Sequence, residues 1–145
     1  MRTVTGPWFE TKVKYEKMQE DGRQKNVTES YVVKALSWGD AEKKIAQEMA
    51  SYLSGEMEIK AISPASYKEV FFSDSDTDDK WYKAKVAFIY LDEKTGNEKK
   101  SNFTYLVQGS SVAGAVRNVD NAMNGTMVDY TSLAVSETKI MDVFE

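Results

Sequence analysis

Trp8, Lys12 and Lys14 fall at alternate positions of the segment WFETKVKY, and Trp81, Lys83 and Lys85 do the same in WYKAKVAF. A strand that turned this face to solvent would interleave indole rings with ammonium groups, the ingredients of stacking platforms for single-stranded nucleic acid. The same pattern also serves a plainer purpose, in which each tryptophan covers a sheet edge and the lysines keep that edge from pairing. These six residues form the candidate binding surface. A second cluster, Asp74, Asp76, Asp78 and Asp79, resembles the opening of a calcium loop, because alternating carboxylates converge on a hard cation. The pattern then fails: Asp79 stands where glycine is needed, and Lys85 replaces the distal glutamate. The run is read as a solvated linker, and no metal site is expected.

The composition removes most catalytic chemistry. The 145 residues include no histidine and no cysteine. A Ser-His-Asp triad, a thiolate nucleophile and a His- or Cys-ligated zinc are all beyond this chain. No glycine-rich phosphate loop is present, and no two carboxylates are spaced as an acid and base pair. The expectation is a protein that is not an enzyme, with no catalytic residue and no cofactor. A net charge of -4 offers no general attraction to phosphate, so nucleic acid is a disfavoured partner.

The two Trp-Lys segments belong to a longer echo. Placing Trp8 on Trp81 puts Val13 on Val86 and Tyr15 on Phe88. One inserted residue then aligns Tyr31 with Tyr105, Ile45 with Val119 and Met49 with Met123. Each copy opens with a period-two segment, Phe9, Thr11, Val13 and Tyr15 or Tyr82, Ala84, Val86 and Phe88. A turn at Asp21-Gly22 or Thr95-Gly96 leads to a second strand, which makes a hairpin. An amphipathic helix follows. In the first copy Ala41, Ile45, Met49 and Leu53 recur on one face, with Ser37 and Asp40 as a capping pair and a stop near Ser54-Gly55. In the second copy Val112, Ala115, Val116, Val119 and Met123 recur, with a stop at Asn124-Gly125 and a helix weakened by Gly114. Each copy ends in a β-rich segment, read as one bulged strand or two short ones.

The expected architecture is therefore α+β: an internal duplication of a β-β-α-β unit, with antiparallel sheets, two helices and a pseudo-two-fold axis. The first repeat covers residues 1–72, an acidic linker 73–80 and the second repeat 81–145, and the two pack as one compact body.

The opening MRTVTGPW lacks an apolar signal core, and no stretch approaches the roughly 18 apolar residues of a membrane span. A cytoplasmic location without membrane attachment is expected. W-F-x-x-K-V-x-Y at the start and VTESYVVKALSWGDAE from Val27 to Glu42 resemble the DUF4494 family, small uncharacterised proteins of Bacteroidetes and their phages. The resemblance implies a bacterial or phage origin and brings no activity and no functional residues. The expected role is non-enzymatic binding of another protein, as an adaptor or inhibitor. The alternatives are single-stranded nucleic-acid binding through the Trp/Lys face and a small-ligand pocket between the repeats.

Overall fold

The computed structural model describes residues 1–53 and 55–145. The chain runs β1 (Arg2–Thr5), β2 (Trp8–Met18), β3 (Gln24–Lys34), α1 (Trp38–Ala50), β4 (Met57–Ala65), β5 (Tyr67–Phe72), β6 (Lys80–Leu91), β7 (Glu98–Gly109), α2 (Val112–Met123), β8 (Asp129–Glu137) and β9 (Ile140–Phe144). The alternating segments form the expected hairpins, β2 antiparallel to β3 and β6 antiparallel to β7. Gly22 and Gly96 sit in the connecting turns with φ of 83° and 68°, a region that side chains with a Cβ avoid.

Both helices start at serine caps. The Ser37 hydroxyl accepts from the Asp40 backbone N–H at 3.1 Å, and the Ser111 hydroxyl from that of Gly114 at 3.0 Å. Each capture satisfies one N–H that a helix start leaves without an intrahelical partner. The apolar stripe of α1, Ala41, Ile45 and Met49, packs on Phe9, Val13, Tyr31 and Val33. That of α2, Ala115, Val119 and Met123, packs on Tyr82, Val86, Tyr105 and Val107. Burial on this scale is worth roughly 1.5–3 kcal/mol for each large side chain and is the main source of stability. The expected stop of α1 at Ser54-Gly55 involves Ser54, which lies outside the described residues. Leu53 still donates its N–H to the Met49 carbonyl at 3.1 Å, one helical turn back.

The chain divides into two units, and these do not follow the expected boundaries. One contains Met1–Gly6 with Ser66–Thr138, the other Pro7–Ala65 with Lys139–Glu145. The first holds a five-stranded sheet ordered β1-β5-β7-β6-β8, the second a four-stranded sheet ordered β4-β2-β3-β9. The expected antiparallel sheets are corrected: both are mixed, because β5 lies parallel to β7 and β9 parallel to β3. The reason is local. Only Ser66 separates β4 from β5, too short a link for a hairpin, so β5 leaves its predecessor's sheet and meets β7 in the direction its entry dictates. β9 likewise joins β3 rather than β8, two residues beyond the end of β8.

Equivalent features recur in the two sheets. Bulges break the pairing of β2 with β4 at Lys12/Val13 and of β6 with β8 at Lys85/Val86. Pro64 lies on β4, an edge strand, where a missing N–H costs little. β1 has no counterpart in the four-stranded sheet, and it pairs with the outer side of β5.

Candidate ligand cleft

The Trp/Lys face does not form the expected exposed platform. Trp8 and Trp81 are each 2 % exposed, while Lys12, Lys83 and Lys85 are exposed and Lys14 is half-buried. The physical reason lies in the neighbours on that face. Val32 pairs beside it in one sheet and Leu106 in the other, both fully buried, so the start of each strand is apolar on both sides. Only the lysines further along reach water. An indole already buried cannot stack on a base, although the lysines keep their charge at the surface. The Trp8 indole N–H is buried and has no hydrogen-bond partner among the described residues.

The acidic stretch is partly structured. Asp78 accepts from the Asn118 amide at 3.2 Å and from the Ser73 hydroxyl, and these hydrogen bonds, Ser73 first, hold its carboxyl below the ordinary carboxylate range. Among the described residues no three carboxylates converge as a metal site would require.

A concavity lies within the four-stranded unit. It has a volume of about 810 Å³ and opens between the hairpin β2–β3, the C-terminal turn of α1, the start of β4 and the outer strand β9. Its floor is a polar cluster. Strand pairing sets Tyr15 opposite Val27 and Val13 opposite Glu29, so Tyr15 and Glu29 are diagonal neighbours on one face, and Tyr31 follows two residues after Glu29. Glu29 Oε1 accepts from both phenols, from Tyr31 at 3.2 Å and from Tyr15 in a short hydrogen bond. Lys17 Nζ lies 3.7 Å from Glu29 Oε2. The Glu29 side chain is 11 % exposed and that of Lys17 51 %.

The cluster holds its protons. Burial, then the hydrogen bond to Glu29, pushes the Tyr15 phenol up to about 12, and burial with the Glu29 charge raises Tyr31 further still. Both tyrosines are therefore donors at neutral pH and unavailable as bases or nucleophiles. Above this floor the walls are soft and apolar, with Met49, Leu53, Met57 and Met141. Thioether side chains adapt to varied ligand shapes. The rim carries Lys14 and Lys17 against Glu16, Glu56 and Glu58. With Glu29 the balance is negative.

The five-stranded unit fills the same station with different chemistry. Counting from the pairs Phe9–Val33 and Tyr82–Val107, Tyr15 corresponds to Phe88 and Glu29 to Phe103. Phe144 pairs beside Val33 and Phe71 beside Val107, which matches Met141 to Lys68. There the Lys68 ammonium sits over Phe103, 3.7 Å from the ring centre, and 4.6 Å from that of Phe88.

Sequence reasoning placed Tyr15 and Tyr31 on the apolar strand face and passed over Glu29. The available signal was a carboxylate in register with Tyr31 and Val33, on the face meant for the core.

Fold and site together define an α+β protein of two mixed-sheet units, one of which carries an open, acidic, methionine-walled cleft. The chain belongs to DUF4494, a domain of unknown function whose family model matches residues 7–145. No curated protein and no solved structure matches the chain. Among the described residues no helix is long and apolar enough to cross a membrane.

Proposed function

We propose that this protein is a non-enzymatic binding protein that recognises another protein, as an adaptor or inhibitor, in the cytoplasm of a bacterium or of a phage-infected cell. The observation that carries this reading is the cleft of the four-stranded unit: it is open, its walls include methionines, and it holds a carboxylate hydrogen-bonded by two phenols. Neither histidine nor cysteine is present, and the Tyr15 phenol keeps its proton to about pH 12. Recognition without turnover is what such a set of groups can do. The common order of hairpin, helix and edge strand in both units supports copying of one ancestral unit as the origin of the chain.

The test is affinity capture from a Bacteroidetes host lysate with the wild-type chain and with Met57→Arg, which places a charged side chain in the cleft wall. A protein held stoichiometrically by the wild type and lost from the variant, with the variant's amide spectrum otherwise intact, is the expected result. A partner held equally by both would move binding elsewhere on the molecule, and no specific partner would overturn the reading. The burial of both tryptophan rings argues against the single-strand alternative, for which a gel shift with long single-stranded DNA at low salt is expected to be negative.

A further inference from the structure

We propose that the cleft seats a cationic side chain of the partner, an arginine or lysine, with Glu29 Oε2 as its acceptor; this rests on the binding role proposed above and names the chemistry of that same site. Three observations converge on it. The first concerns the carboxylate itself. Oε1 takes both tyrosine hydroxyls, whereas among the described residues Oε2 is paired with the Lys17 ammonium alone, at 3.7 Å and beyond hydrogen-bonding reach. A carboxylate oxygen in a partly dry site is a strong acceptor for a charged donor. Lys17 is half exposed, and an ion pair of that kind is weak enough to be exchanged.

The second observation is the other unit, where the corresponding station is occupied by the chain's own cation. Lys68 reaches over Phe103 and Phe88 from β5, the strand that takes beside β7 the position β9 takes beside β3. In the four-stranded unit the residue at that position is Met141, 49 % exposed and uncharged, while the aromatic partners are replaced by Tyr15 and Glu29. The strand that supplies an ammonium in one unit supplies only a wall in the other. The third is charge. Glu58 is paired with Lys60 at 3.3 Å, and the remaining carboxylates of Glu16, Glu29 and Glu56 still outnumber Lys14 and Lys17 around the opening, which favours approach of a positive group. Met57 and Met141 line the path along which the apolar stem of a lysine or arginine would lie.

The test is a titration of the intact chain, followed by its backbone amide NMR spectrum, with butylguanidinium and with its neutral analogue butylurea. Saturable shifts confined to the neighbourhood of Tyr15, Lys17, Glu29, Tyr31 and Met141 are expected for the cation, with binding of the urea at least about tenfold weaker, the usual size of a charge-assisted contribution. Glu29→Gln should abolish the preference for the cation, and Lys17→Met, which removes the competing ammonium, should tighten cation binding several-fold. Absence of saturation, equal binding of the urea, or a folded Glu29→Gln variant that still prefers the cation would overturn the proposal. If Glu29→Gln does not fold, Lys17→Met decides, and unchanged affinity there overturns it. A capped Leu-Arg-Leu tripeptide is expected to bind more tightly than butylguanidinium because flanking side chains reach the methionine walls. Equal affinity would overturn the partner side chain as the source in favour of a free organic cation. The titration uses no partner protein. Saturation by the cation alongside failed capture would therefore sink the protein-partner reading alone, and successful capture alongside a silent titration would sink the cation site alone.

Discussion

Lys68 and Met141 stand at the same place in two sheets whose strand orders match apart from β1, each three residues before the phenylalanine that pairs beside a central strand, yet one sets an ammonium over two aromatic rings and the other lines an open cleft. In the five-stranded unit Phe88 and Phe103 lie under the Lys68 ammonium, Phe88 also meets Tyr105, and Tyr105 stacks on Phe71 at 4.9 Å. In the four-stranded unit Tyr15, Glu29 and Tyr31 form a hydrogen-bonded cluster that lines the cleft. A sheet with a helix on it needs its central face for stability, but the far end of that face, toward the hairpin turn, is optional. One unit spends that region on packing, and the other keeps a polar floor that contributes less to the fold.

The largest expected contrast comes from the two phenylalanines. Phe71→Ala removes a fully buried ring and should cost about 3–5 kcal/mol in urea denaturation. Phe144→Ala, at a half-buried position stacked on Tyr31 at 5.7 Å, should cost distinctly less. Equal losses would break the comparison.

Next in size is the alkaline response. A phenol whose folded value is raised contributes stability that is complete below the unfolded value of 10.0 and disappears as the pH climbs through the folded one. Tyr15 and Tyr105 both rise to about 12, so stability should fall between pH 10 and 12. The causes differ, because burial leads in both but Tyr15 is also raised by its hydrogen bond to Glu29, and Tyr105 by the Glu69 charge. In a phenolate absorbance titration Glu29→Gln should therefore advance the ionisation of Tyr15 and Tyr31 and leave Tyr105 where it is.

Transplanting the lysine-over-ring arrangement sharpens the contrast further. Tyr15→Phe, Glu29→Phe and Met141→Lys together should raise the stability of the four-stranded unit by about 1 kcal/mol through packing and a cation–π contact, and should eliminate butylguanidinium binding. A stable triple variant that still binds the cation would separate the cleft from its proposed chemistry. The smallest effect is expected for Lys68→Met, a loss of about 0.5–1 kcal/mol by denaturation midpoint, since it removes the ammonium but leaves the rings in contact.

Several of these features were open to reading from residue order. Alternating Phe9, Val13 and Tyr15 identified β2, Ser37 with Asp40 marked the start of α1, and Gly22 and Gly96 marked the turns. β1 was missed because four residues of the type Arg-Thr-Val-Thr are too few to show a period. The tryptophans were misplaced because alternation assumes one dry face and one wet face, and here the start of each strand is buried on both. Glu29 was passed over because a single carboxylate in an apolar register gains meaning only when two phenols from neighbouring positions meet it.

Residue order determined the local elements, since capping, turn chemistry and hydrophobic period act over a few neighbouring positions. The tertiary structure alone decided that β5 lies beside β7 and β9 beside β3, because a strand's alternation records which face is apolar and leaves its hydrogen-bonding partner unspecified. That pairing places a lysine over aromatic rings in one sheet and a methionine in the wall of a cleft in the other.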